Sequence, residues 1–154
     1  MSESDSFVPP DFNPPTSFTA ENVRLEPLGP KHNERDFAAW SSSMDHIRQS
    51  PGFLPDGKWP REMTLDENRG DLERHARDFA DRKGFTFTVL DATDDVVGCL
   101  YIYPASDGVH DADVRSWVRQ CAADLDDPLR RAIADWLTSG AWPFERPLYT
   151  PLLT

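Results

Sequence analysis

Two runs of aromatic and β-branched residues, Phe85-Thr-Phe-Thr-Val-Leu90 and Val96-Val-Gly-Cys-Leu-Tyr-Ile-Tyr103, flank the polar joint Asp91-Ala-Thr-Asp-Asp95. The first run alternates with period two, so it reads as a strand, and the acidic joint reads as a turn. The second run is apolar on both alternating sets. It predicts a central strand covered on two faces.

The other elements are built around this pair. Val23-Arg-Leu-Glu-Pro-Leu28 alternates as a half-buried strand, with Pro27 near a strand end or sheet edge. Residues 112–119 read as the third strand of an antiparallel meander, with Val114 and Val118 facing one way across Ser116 and Trp117 facing the other. Phe37, Trp40, Met44 and Ile47 recur at helical spacing and predict one helix over residues 31–47, stopped by Ser50-Pro-Gly52. Residues 53–61, with Pro55, Gly57 and Pro60, read as a loop with Trp59 folded inward.

Thr64-x-x-Glu67 is a capping box, so a second helix follows, with Leu65, Leu72, Ala76 and Phe79 inside and Gly84 closing it. Asp127-Pro128 predicts the start of a third helix, with the stripe Leu129, Ile133, Trp136 and Leu137 and Gly140 at its end. Pro147 limits residues 142–150 to a short strand. The apolar phase of each element assigns Trp117, Trp136 and Phe79 to the core.

Length allows one domain: 154 residues cannot build two independent cores. Pro9, Pro10, Pro14 and Pro15, with Glu3, Asp5 and Asp11, break any period, so residues 1–20 are a tail or a strap anchored by Phe7, Phe12 and Phe18. Residues 21–154 form the domain. A net charge of −11 argues against nucleic acid, whose phosphates require clustered Lys and Arg. No run of about 18 apolar residues exists to span a membrane, and the N-terminus lacks the basic and apolar regions of a secretory signal. The expected location is the cytoplasm, with Cys99 and Cys121 as packed thiols. His32, His46 and His75 show no zinc spacing, and no metal site is expected.

The order strand, helix, helix, meander, helix, strand over residues 23–150 resembles the Gcn5-related N-acetyltransferase (GNAT) superfamily. The resemblance is carried by Val23-Arg-Leu-Glu-Pro-Leu28, Val96-Val-Gly-Cys-Leu-Tyr-Ile-Tyr103 and Val114-Arg-Ser-Trp-Val-Arg119 running into a helix. It implies an α/β (α+β) fold, a mostly antiparallel sheet flanked by helices, and transfer of an acetyl group from acetyl-CoA to a small-molecule or peptide amine. In that superfamily the strand matching residues 114–119 offers its backbone to pantetheine, and an Arg/Gln-x-x-Gly-x-Gly/Ala segment cradles the pyrophosphate at a helix N-terminus. Carried over, this implies Trp117, Val118, Arg119 and Gln120 as coenzyme contacts, with Arg130 and Arg131 as cations for the phosphates. Asp113 and Tyr149 are the catalytic candidates, weighed beside His110 and Glu145.

Two departures shape the functional expectation. Ala123 stands where the cradle has its first glycine and Leu125 where it has its second small residue, and Asp91, Asp94, Asp95, Asp124, Asp126 and Asp127 are expected to gather near the phosphate position. The sequence ends at Thr154, before the helix and two strands that usually follow. The expectation is a C-terminally truncated N-acyltransferase domain with weak acetyl-CoA binding, the alternative being a non-catalytic interaction or ligand-binding module. An open edge beside Trp142, Phe144, Leu148, Tyr149, Leu152 and Leu153 predicts a homodimer through the C-terminal edge, against a monomer strapped by the N-terminal segment.

Overall fold

The computed structural model describes residues 6–53 and 59–154. Glu3 and Asp5 of the tail and Pro55 and Gly57 of the loop lie outside the described residues. One six-stranded sheet follows chain order: β1 (Phe18–Ala20), β2 (Val23–Pro27), β3 (Phe85–Leu90), β4 (Val96–Tyr103), β5 (Ala112–Val118) and β6 (Pro147–Leu148). β1 to β5 pair antiparallel. β6 runs parallel to β5 and touches it at two positions, Ala112 with Pro147 and Asp113 with Leu148. A parallel pair needs a crossover, and the helix α4 (Ala123–Thr138) supplies it. Three more helices, α1 (Asn33–Ser41), α2 (Met44–Arg48) and α3 (Leu65–Ala80), lie between β2 and β3 in the chain. The fold is thus the mostly antiparallel α/β arrangement expected.

Each face of the sheet has its own core. Leu90, Val96, Cys99 and Trp117 pack with Trp40, Ile47 and Leu72 from the α1–α3 layer. Leu25, Phe87, Leu100, Val114 and Val118 pack with Leu129, Ile133, Trp136 and Leu137 of α4. β4 is therefore covered on both faces, which is why it is apolar on both alternating sets. The N-terminal segment joins the second core. Val8 is 2% exposed, Phe7 stacks on Phe144 at 5.4 Å, and Phe18 lies flat on Trp136 at 4.2 Å. Phe18 also opens β1, which covers β2, so Pro27 marks a strand end rather than a sheet edge.

Several expectations are corrected. The helix over residues 31–47 is broken into a 3-10 turn at Pro30–His32, α1 and α2. The hydroxyls of Ser41 and Ser42 donate to the carbonyls of Phe37 and Ala38, an alternative to continued helix. Ser43 is buried, and its Oγ accepts the Gln120 N–H at 2.9 Å. The capping box forms as expected, with Thr64 N–H to Glu67 Oε1 at 2.9 Å and Glu67 N–H to Thr64 Oγ1 at 3.1 Å. Leu65, however, is 39% exposed, and the inner stripe of α3 instead runs through the buried Asn68 and Leu72.

The left-handed residue after α3 is Arg82, at φ 63°. Gly84 serves another purpose, since a Cβ there would stand 2.1 Å from the Tyr103 ring. Helix α4 begins at Ala123, so Pro128 sits inside it rather than at its first position. Pro128 is the sixth helical residue, beyond the first four N–H groups that lack partners in any case, so it leaves the Asp124 carbonyl without its i→i−4 bond. The early start also sets Asp126 and Asp127 one turn before Arg130 and Arg131, each paired at 2.9 Å. Cys99 is buried as expected, but Cys121 is exposed.

At the C-terminus the chain doubles back, and Tyr149 and Leu153 exchange backbone hydrogen bonds of 2.7 and 2.8 Å. Trp142 and Tyr149 are buried, and Phe144 and Leu153 pack against the same core. Leu152 alone of the six residues behind the dimer expectation is exposed, at 40%.

Candidate functional site

A cavity of about 520 Å³ opens between the α1–α3 layer and the facing side of β4 and β5. Strand alternation puts Tyr101, Tyr103, Asp113 and Arg115 on its wall, and α1 and α3 add Asp36, Asn68, Asp71, Leu72, Arg74 and His75. Trp59 is folded inward, as the sequence suggests. Its ring lies 5.9 Å from Phe53, 6.3 Å from Tyr101 and 5.4 Å from Trp40.

Asn68 organises the floor. Its Oδ1 accepts from Trp40 Nε1 at 3.1 Å, and its Nδ2 donates to Asn33 Oδ1 at 2.9 Å and to Asp36 Oδ2 at 3.1 Å. Burial pushes the Asp36 carboxyl up to about 6, against the lowering by Asn68 and with a further rise from Asp71. Two turns further along α3, His75 Nδ1 lies 2.9 Å from Tyr103 Oη and 3.0 Å from Thr86 Oγ1. Tyr103 donates to Asp78 Oδ2 at 2.9 Å. Burial drops the His75 imidazole to about 4, so the ring is neutral at pH 7, and burial pushes the Tyr103 phenol up to about 12.

The opposite face, around the gap between β5 and β6, is filled. Arg119 N–H bonds the Val97 carbonyl, so in the alternating ladder Val114, Ser116 and Val118 direct their backbone groups away from β4, toward β6. Arg130 Nη2 takes the Ser116 carbonyl at 2.9 Å while its Nε bonds Asp126 at 2.9 Å. Ser116 Oγ and Tyr149 Oη share a 2.6 Å bond, and the Arg130 guanidinium lies 5.6 Å from the Tyr149 ring centre. Burial pushes the Tyr149 phenol up to about 12.

The overall fold is similar to that of solved acetyltransferases. The ribosomal-protein-S5-alanine acetyltransferase from Vibrio fischeri matches over 81% of this chain and 69% of its own, with a TM-score of 0.58 at 11% identity. RimL, a ribosomal L7/L12 α-N-protein acetyltransferase solved with coenzyme A, matches over 83% and 69% with a TM-score of 0.58 at 12% identity. The microcin C7 self-immunity acetyltransferase MccE, solved with acetyl-CoA and AMP, matches over 80% and 67% with a TM-score of 0.57 at 13% identity. The fold is that of the GNAT superfamily. No protein-family model and no curated protein matches the sequence.

At the edge where the resemblance would place acetyl-CoA, the groups that would contact it already have partners within the chain. The Ser116 carbonyl is already taken by Arg130. In the turn after β5, the Gln120, Ala122 and Ala123 amides donate to Ser43, Arg119 and Gln120, leaving fewer donors for a pyrophosphate. Asp124 and Asp126 lie in the first turn of α4, the position a GNAT phosphate cradle needs unencumbered. The arginines are also committed: Arg119 to Asp95 at 3.2 Å, Arg130 to Asp126 and Arg131 to Asp127. Trp117 points to the other face and donates its indole N–H to Tyr101 Oη at 2.9 Å, and Val118 is core.

The two catalytic candidates lie on opposite faces of the GNAT sheet. Asp113 lines the cavity and pairs with Arg115 at 2.9 Å, while Tyr149 belongs to the core on the α4 side. His110 bonds Asp107, and the Glu145 N–H is held by Asp111 at 2.7 Å, so neither lines the cavity. Asp36, His75, Tyr101 and Tyr103 were not among the sequence candidates for the site. One signal pointed to two of them: Asn33, Asp36 and Trp40 share a helical face, as do Asn68, Leu72 and His75, so polar residues occupy inward positions. Among the described residues no cluster of His, Cys, Asp or Glu could hold a metal ion, and no helix is long and apolar enough to cross a membrane.

Proposed function

We propose that this chain is an N-acyltransferase-type domain that retains an amine-side pocket and binds acetyl-CoA weakly. The contrast between the two faces carries the reading: the α1–α3 cavity is open and lined by ionisable groups, whereas Arg130 and Tyr149 fill the coenzyme edge. A ligand that pairs with Ser116 must first displace both. One bond from a charged donor and one neutral bond together cost about 3 kcal/mol, a factor of about 100 in affinity. Phosphates would then meet Asp124 and Asp126.

The acceptor would be a small-molecule or peptide amine, drawn by the acidic surface. Asp113 is then the carboxylate positioned to face it. The protein is taken to work in the cytoplasm, where an exposed thiol such as Cys121 stays reduced. A second reading, a ligand-binding module without acyl transfer, is favoured by the Ser116–Tyr149 bond, which closes the edge without any ligand.

Calorimetric titration with acetyl-CoA and desulfo-CoA tests the reading. The expected dissociation constant is about 0.1 mM or weaker, no more than about −5.5 kcal/mol. Low-micromolar binding would overturn weak coenzyme recognition. No heat with either coenzyme up to several times that concentration would favour the second reading.

A further inference from the structure

We infer that Asp36 is the anionic anchor for an organic cation with an apolar body, bound in the α1–α3 cavity between that carboxyl and the Phe53, Trp59 and Tyr101 rings. The inference rests on reading this cavity as the amine side, and deepens it by naming the ligand's chemistry and the residue that selects it.

Asp36 is only 4% exposed, yet it lines an open cavity. Asn68 Nδ2 is its one described hydrogen-bond partner, and that group is shared with Asn33. Among the described residues no Lys, Arg or His lies in ion-pair reach of it. The nearby guanidiniums are engaged elsewhere: Arg61 bonds the Glu62 carbonyl, Arg74 faces Asp71 at 3.6 Å, and Arg115 holds Asp113 and the Gly52 carbonyl. The ionisable groups that bear on Asp36 are Asp71 from α3 and Cys99 and Tyr101 from β4, and none supplies a positive charge. A buried carboxylate without a counter-charge is costly. A bound cation would supply the missing charge.

The rings complete the recognition. Phe53, Trp59 and Tyr101 stand 5.9 to 6.3 Å apart, centre to centre, as one wall of the cavity. Ring faces attract cations within about 6 Å, and their apolar surface suits a hydrocarbon body. His75 adds a second selective atom. Tyr103 has one proton and gives it to Asp78, so a hydrogen bond from His75 to Tyr103 requires the proton on Nδ1, 2.9 Å away, with Thr86 Oγ1 at 3.0 Å as a second acceptor of it. In that tautomer Nε2 carries a lone pair that no described residue occupies. Asn68, which holds Asp36, and His75 are two turns apart on α3, about 10 Å along the axis. A ligand with a second donor up to that distance from its charge would engage both ends.

The test uses phenethylamine, tyramine and 2-phenylethanol, followed by chemical-shift titration of the full chain at pH 7.5. Both amines are expected to bind, and Asp36→Asn to weaken them at least tenfold while leaving 2-phenylethanol unchanged. Tyramine, whose hydroxyl is a distal donor, should bind more tightly than phenethylamine, and His75→Leu should erase that difference. In the wild type the Asp36 carboxyl carbon should titrate at lower pH when amine is bound. Absence of amine binding at 10 mM, equal binding of the alcohol, or an Asp36→Asn protein that binds amines normally would each overturn the inference. Thermal melts of both variants establish that they fold. No coenzyme enters these measurements, so their failure is separable from that of the acetyl-CoA titration.

Discussion

Ser116 Oγ and Tyr149 Oη lie 2.6 Å apart, and their bond ties the chain after β6 to a stretch of β5 that is paired with β4 on one side and, past Asp113, has no β6 partner on the other. Tyr149→Phe keeps the ring beneath Arg130 and removes only this bond. Stability should fall by about 1 kcal/mol, and acetyl-CoA affinity should rise about fivefold because less must be broken to open the edge. Calorimetry on wild type and variant reads the second effect, and a weaker affinity would mean that the hydroxyl itself contacts the coenzyme.

Asp36 and His75 oppose each other in pH dependence. Asp36 titrates at about 6 folded against about 3.9 unfolded, so its stabilising effect is full below pH 4 and is lost as pH rises to 6. His75 titrates at about 4 folded against about 6.5 unfolded, so its effect is full above pH 6.5 and is lost as pH falls to 4. Each amounts to about 3 kcal/mol, and together they nearly cancel. Relative to wild type, Asp36→Asn should make stability climb with pH between 4 and 6, and His75→Gln should make it fall. Urea melts at pH 4, 5, 6 and 7 read both slopes.

Asn68 and Thr64 sit one turn apart at the start of α3 but differ in burial. Thr64→Ala removes an exposed cap and should cost about 1 kcal/mol. Asn68→Ala strands the Trp40 indole N–H, Asn33 and Asp36 in a buried site, and should cost about 3 kcal/mol or more. Chemical denaturation of the two variants gives the ratio, and equal losses would refute a central role for Asn68.

Gly84→Ala would place a Cβ 2.1 Å from the Tyr103 ring. The ring must move, breaking its contacts to His75 and Asp78. The expected cost is about 1–3 kcal/mol, accompanied by a rise in the His75 titration midpoint measurable by proton NMR. An unchanged midpoint would show that Tyr103 does not contribute to the burial of His75.

Sedimentation at micromolar concentration should give a monomer. The apolar residues that favoured a C-terminal dimer are largely covered within the chain, by Phe7 on Phe144 and by the return of Leu153 onto Tyr149. A dimer that Leu152→Asp dissociates would restore the edge interface.

The elements themselves are legible in the sequence wherever local chemistry decides them. Strands β3, β4 and β5, the capping box before α3 and the stripe of α4 follow from alternation, helical spacing and cap residues, which act over a few residues. The Ser41–Ser43 break escapes because hydroxyl back-bonding competes only weakly with helix, and the buried Ser43 contact to Gln120 across 77 positions stabilises the break. The start of α4 escapes for a similar reason: Asp127-Pro128 reads as a helix start, whereas the helix already runs from Ala123 and pairs Asp126 and Asp127 with Arg130 and Arg131.

The site divides along the same line. Ala123 and Leu125 at the cradle positions and the acids around them are read from the sequence against the resemblance, and they carry the expectation of weak coenzyme recognition. That Arg130 turns inward to the Ser116 carbonyl, that Asp113 and Tyr149 lie on opposite faces, and that Asp36 is buried with no counter-charge among the described residues are decided by tertiary structure. Burial and partner distance are set by residues far apart in the chain, and a side chain's ionisation follows from those surroundings rather than from its type.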